Sequence, residues 1–185
     1  IVISPYDAEL YGHWWYEGPM FIDFLVRKVA FDQRVFRLAT PGDYLRENPD
    51  QQLATPPLCS WGAGGYAGVW LDGSNDWIYR HLHKAAERMI ALARDYREPT
   101  PLERRALDQA ARELLLAQSS DWAFIMKTGT MVDYAIRRTR EHVLRFTRLH
   151  DQVRSGRIDE GWLAHAEQKD NLFQELDYRV YAPRG

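Results

Sequence analysis

Apolar positions follow two different periods along the 185 residues, with an aperiodic stretch between them. The opening "IVIS" is a continuous β-branched run, which predicts a short buried strand over residues 1–4. Behind an acidic and aromatic stretch, "EGPMFIDFLVRKVA" predicts a helix. Gly18 and Pro19 suit its start, and Phe21, Phe24, Leu25 and Val29 supply an apolar face. "RVFRLATP", residues 34–41, then reads as a second strand stopped by a Pro-Gly turn. Strand, helix, strand is one βαβ unit, so a parallel sheet or barrel is expected. Residues 42–73 sustain no period and carry Pro49, Pro56, Pro57 and the Gly-rich "WGAGGYAGVW". A loop of that length is functional or disordered, and its aromatic content argues against disorder.

From Asn75 onward the period is helical. Ile78, Leu82, Ala85, Met89 and Leu92 recur at 4,3,4,3 spacing. "TPLE" (Thr100 to Glu103) is a capping box with proline at the first helical position, and it opens a helix running to about Ala117. "TMVD" (Thr130 to Asp133) can cap another, with Val132, Ile136, Val143, Phe146 and Val153 as its apolar face. "GRIDEGWLAHAEQKDNLF" predicts a short helix and a tail. The expected division is 1–45 for the α/β part, 46–74 for the aromatic loop and 75–185 for an all-α helical domain.

Composition narrows the classes. A net charge of −2 gives no electrostatic case for gripping nucleic acid. No apolar run approaches the roughly 20 residues that cross a bilayer, so no membrane is expected. The lone Cys59 cannot form an internal disulfide, which fits a reducing cytoplasm. The chain opens on "IVISPYD", with no leader pattern and no initiator methionine. An orphan edge strand there implies a piece of something longer.

Three stretches can carry chemistry. In "YDAELYGHWW", Asp7 falls three residues past the first expected strand, where parallel α/β folds and barrels gather their reactive groups. It is either a general acid/base or a turn aspartate, with Glu9 and His13 placed to orient or tune it. In "CSWGAGGYAGVWLDGSNDW", Trp61, Tyr66, Trp70 and Trp77 alternate with glycines. Flat indoles suit the C–H face of a sugar ring, with Asp72, Asn75 and Asp76 available for its hydroxyls; the other reading is an Ω-loop packed by its own aromatics. The glycines make no phosphate-binding fingerprint, since the P-loop lysine is missing. In "AQSSDWAF", Asp121 is either a hydroxyl acceptor or a helix cap. His81 and His83 of "HLH" lie two apart on an expected helix and face different ways, so no metal and no other cofactor is expected.

Together "PYDAELYGHWWYEGP", "WGAGGYAGVWLDGSNDWIYRHLH", "LLLAQSSDWAFIMKTGTMVDYAIRRTREH" and "KDNLFQELDYRVY" resemble the C-terminal portion of glycoside hydrolase family 57, specifically its 1,4-α-glucan branching enzymes. The resemblance spans essentially the whole chain. It implies the end of a distorted (β/α)7 barrel followed by that family's helical C-terminal domain. It further implies that Asp7 matches the catalytic acid/base, and that Trp61 and Trp70 match tryptophans lining the glucan acceptor site. Asp121 matches a substrate-binding position, and His13 and Trp14 help shape the sugar subsites. The partners implied are an α-glucan and an N-terminal half holding the nucleophilic glutamate, without which this polypeptide is expected to be inactive. A 4-α-glucanotransferase or amylase-like hydrolase of the same family, or a non-catalytic α-glucan-binding module, are the alternatives.

Overall fold

The computed structural model describes residues 1–183, so the last two positions of the expected 75–185 domain lie outside the described residues. It divides into two compact units, Ile1–Pro56 and Pro57–Gly185.

The first unit holds two helices. α1 spans Gly18–Arg27 with Pro19 in its first turn, and continues through a π-helical turn, Lys28–Asp32. A second π-helical turn, Leu10–Trp14, precedes it. α2, Pro41–Glu47, falls where a Pro-Gly turn and an irregular stretch were expected. Its start is a full capping box: the Thr40 hydroxyl accepts from Asp43 N–H at 3.1 Å, and Asp43 accepts from Thr40 N–H at 3.0 Å. The two expected strands are corrected: among the described residues there is no strand, and residues 1–4 and 34–41 are irregular up to the start of α2. A β-branched run becomes a strand only when a neighbour supplies its ladder hydrogen bonds, and neither run has that partner here. Both runs instead line one apolar groove with Leu25 and Tyr44.

The second unit is all helical after the aromatic loop. α3 (Trp77–Asp95), α4 (Pro101–Ala117), α5 (Ser120–Thr128), α6 (Val132–Ser155) and α7 (Glu160–Lys169) are closed by a 3₁₀ turn, Tyr178–Tyr181. α6 is the hub, contacting α3, α4 and α5, while α7 lies on α4 and the final turn on α3 and α4. The expected face of α3 is buried at all five positions. α4 starts at the Thr100–Glu103 box and ends at Ala117, as expected. α6 departs in two ways. It begins without a side-chain cap, because the residue at its N-cap is Met131, one past Thr130. Its buried stripe is Ala135, Thr139, His142, Phe146, Leu149 and Val153, rotated from the expected face because two polar residues stand on the inner side. One core joins Met89, Leu92, Leu107, Leu114, Phe146, Leu149 and Tyr178; a smaller one joins Ile78, Leu82, Ala123, Met126 and Ala135 beneath Trp70 and Trp77.

Candidate functional site

The first unit carries the first of the three expected stretches and the second unit the other two. In the first, Asp7 is exposed, and its backbone carbonyl accepts from Leu10 N–H at 3.2 Å, opening the turn that follows. His13 and Trp14 lie in that π-helical turn, their rings 5.9 Å apart and edge to face. The His13 ring is fixed by a 2.7 Å contact between Nδ1 and the Glu9 carbonyl, and Trp14 is 77 % exposed. Asp7 is therefore exposed just ahead of the turn that exposes His13 and Trp14, and the Glu9 backbone rather than its side chain orients the histidine.

In the second unit the loop is folded upon itself. Ser60 N–H donates to Gly65 O at 2.6 Å, and Gly62, Gly64 and Gly65 all take positive φ. Gly62 also leaves no room for a side chain, since a Cβ there would stand 2.9 Å from Val69 Cγ2. Trp61 is 63 % exposed and meets Trp70 edge to face at 5.7 Å. The Phe124 ring of α5 is its second aromatic neighbour, at 6.0 Å. The result is an indole held by two aromatic neighbours with most of its surface open. Asp121 is exposed in the first turn of α5, three residues before Phe124 and so on the same side of that helix. It is not the cap, which is Ser119; instead Ser119 Oγ donates to its Oδ2 at 2.8 Å. Trp61, Trp70 and the helix bearing Asp121 are thus brought together in one place.

Two of the expected hydroxyl partners are corrected. Asn75 is fully buried, with both amide protons committed to backbone carbonyls, so it cannot reach a sugar. Asp72 is paired with Lys127 at 2.7 Å; that ammonium, followed by the Ser74 backbone and hydroxyl, holds its carboxyl at about 2. Asp76 remains exposed. Sequence reasoning also missed Phe124, which has the right spacing from Asp121 but no polar signal of its own.

His81 and His83 lie in α3. A different group, Glu113, His142 and Asp170, brings three possible metal-ligating atoms within 4.8 Å of one another. The cation between its acids is Arg145, which hydrogen-bonds Asp170 and stands 4.0 Å from Glu113 Oε2. His142 Nδ1 lies 2.6 Å from Glu113 Oε2, and Gln109 donates to the other carboxylate oxygen at 2.9 Å. A metal ion could use this donor set only by displacing the guanidinium.

Comparison with known proteins places the chain in a family. A 1,4-alpha-glucan branching enzyme of Thermococcus kodakarensis is 34% identical over 181 residues, covering 95% of this chain and 26% of that enzyme. Its solved structure, a branching enzyme of glycoside hydrolase family 57 in complex with glucose, matches 100% of this chain and 34% of its own with a TM-score of 0.83. A solved alpha-amylase of Thermotoga maritima is 45% identical, with a TM-score of 0.75, over 100% of this chain and 34% of that one. The chain therefore spans between a quarter and about a third of the length of these relatives. The family model described as "1,4-alpha-glucan branching enzyme, C-terminal" matches residues 81–181, more than half of the chain. On that match the chain belongs to the C-terminal domain family of the 1,4-alpha-glucan branching enzymes.

Proposed function

We propose that this chain is the acid/base-bearing C-terminal portion of a retaining 1,4-α-glucan branching enzyme, which cleaves an α-1,4 bond and transfers the freed chain to a 6-hydroxyl as an α-1,6 branch. The observation that carries the reading is the open Trp61 indole, set against Trp70 and against Phe124 of the helix that bears Asp121. A pyranose stacks on such a surface through its C–H face, and Asp121 offers an exposed carboxylate to its hydroxyls. Retaining enzymes of this chemistry hold two carboxyls about 5–5.5 Å apart, one attacking the anomeric carbon and the other protonating the departing oxygen. Asp7 is the proton donor, and later takes the proton from the acceptor's 6-hydroxyl. His13 and Trp14 stand on the turn that follows it, to shape the adjoining subsite. The nucleophilic glutamate belongs to the part of the enzyme outside this chain. For transfer to exceed hydrolysis, a sugar must hold the acceptor site against water, which is the task of Trp61 and Trp70.

The first unit supports the same reading. Gly18 is its only buried residue, while Ile1, Val2, Leu25, Phe36 and Leu38 are exposed around its groove. We read residues 1–45 as the end of a distorted (β/α)7 barrel, in which the runs at 1–4 and 34–41 gain ladder partners from the rest of the enzyme. Residues 46–74 are then the active-site loop, and residues 75–185 the helical domain. No helix among the described residues is long and apolar enough to cross a membrane. We place the enzyme in the cytoplasm, which suits the exposed free Cys59.

In the complete enzyme, Asp7→Asn is expected to lower turnover of amylose by about 10²–10⁴-fold, the usual worth of a positioned general acid. Native turnover in that variant would remove Asp7 from the mechanism. The 185-residue chain alone is expected to form no α-1,6 linkages. A second reading, an amylase-like hydrolase, is favoured by the 45% identity to the Thermotoga alpha-amylase. Product analysis separates the two: free reducing ends without new α-1,6 bonds identify the hydrolase.

A further inference from the structure

The aromatic loop is attached to the helices at two consecutive carbonyls. Asn75 donates one amide proton to Val69 O at 2.9 Å and the other to Ala123 O of α5 at 3.0 Å. Its Oδ1 accepts from Asp72 N–H at 2.9 Å. Tyr79, four residues on and therefore on the same side of the chain as it enters α3, donates its hydroxyl to Trp70 O. The loop is gripped at the residue bearing the second indole and at the one before it. Ala123 stands between Asp121 and Phe124, so the one amide joins the tryptophan loop to the helix that carries the rest of the site.

The chemistry at position 75 is specific. The site lies against the small core that holds Ile78 and Ala123, beside the buried Val69, where an apolar side chain would be ordinary, yet it holds a fully buried amide with three hydrogen bonds. Aspartate has the same shape but no amide protons, and would set a carboxylate against two carbonyl oxygens. The latch also answers a need within the loop. Ala67 sits at φ 61, in the left-handed region that a residue with a Cβ seldom adopts, so this conformation persists only if its surroundings hold it.

We infer that Asn75 and Tyr79 are positioning residues that set the separation between the Trp61–Trp70 platform and Asp121. Through it they set how often a sugar, rather than water, receives the cleaved chain. Neither residue touches the sugar; both act through Trp70 and α5. The inference rests on the glucan reading above.

The test uses the complete enzyme with amylose, counting chains transferred to sugar against chains released to water, alongside KM, kcat and thermal melting. Loss of these buried hydrogen bonds is expected to lower the transfer-to-hydrolysis ratio about tenfold in Asn75→Asp and about threefold in Tyr79→Phe. The rate of bond cleavage should stay within about twofold, because the cleavage step does not use the acceptor platform. If Asn75→Asp does not accumulate as folded protein, Tyr79→Phe, which removes one oxygen atom, decides alone. A native ratio in the folded variants, with only melting lowered, would mean that the two residues hold the fold and nothing more; that overturns the inference. Trp61→Ala in the native background is the control. If it changes neither KM nor the ratio, the glucan reading itself fails and takes the inference with it. A normal response to Trp61→Ala beside an unchanged ratio in Asn75→Asp and Tyr79→Phe overturns the inference alone.

Discussion

Asp72 shows how far one pair can shift a group that the sequence offers as a free carboxylate. Its pKa falls from the ordinary 3.8 to about 2, chiefly through Lys127, so the folded state favours the charged form. The pair's contribution to stability is therefore complete above the ordinary carboxylate range, and is lost as the pH drops from there toward 2. Carboxyl NMR of Asp72 should report about 2 in the native chain and a return toward 3.8 in Lys127→Met. A value that ignores the substitution would show that Ser74 alone holds it. His142 is the opposite kind of residue, closed in the bundle with Glu113. In that network Glu113, Glu141 and Asp170 are met by Arg138 and Arg145, while Arg112 is turned to Gln109 and the Leu172 carbonyl. Removing the histidine leaves Glu113 Oε2 without its hydrogen-bond partner, so His142→Leu is expected to cost about 1–3 kcal/mol in chemical denaturation. A loss under about 1 kcal/mol would mean that Gln109 and Arg145 satisfy Glu113 unaided.

At the level of elements, the same four-residue device begins two helices. Thr40–Pro41–Gly42–Asp43 and Thr100–Pro101–Leu102–Glu103 both form reciprocal caps with proline at the first turn. Thr100→Ala should destabilise the chain by about 1 kcal/mol, read as a lower midpoint in urea with an unchanged slope. That equivalence also shows what was legible in advance. The box at Thr100 is local chemistry next to a long amphipathic run, and α4 follows from it. The box at Thr40 carries the same information but leads into only two helical turns, too short for a hydrophobic period to register. The register of α6 was obscured for another reason: Thr139 and His142 occupy its inner stripe, the threonine bonded to the Ala135 carbonyl within the helix and the histidine met by Glu113, twenty-nine residues before it. The strand readings at 1–4 and 34–41 rested on β-branched content, while pairing is a property of two segments at once. In the site, Trp61, Trp70 and Asp121 stood out by composition. Asn75 was visible as a polar residue, yet its inward orientation is decided by Ala123, forty-eight positions away.

For the whole molecule, the two units differ in what they can hold together unaided. Pro57–Gly185 buries an apolar core running through α3, α4, α6 and α7. Ile1–Pro56 buries only Gly18, while Tyr16, Phe31 and Val35 are each more than four-fifths exposed. Buried apolar surface, at about 25 cal/mol per Å², is what offsets chain entropy, and the first unit has almost none to set against it. Amide exchange on the 185-residue chain should therefore show the slowest protons in α4 and α6, and near-unprotected amides from Ile1 to Pro56. Brief proteolysis should trim the first unit and leave a stable product beginning close to Pro57. In the complete enzyme the same amides should become protected, as the groove lined by Ile1, Phe36 and Leu38 is covered. Slow exchange across Ile1–Pro56 in the short chain would show that this unit folds alone, and would remove the physical reason for assigning it to a larger barrel.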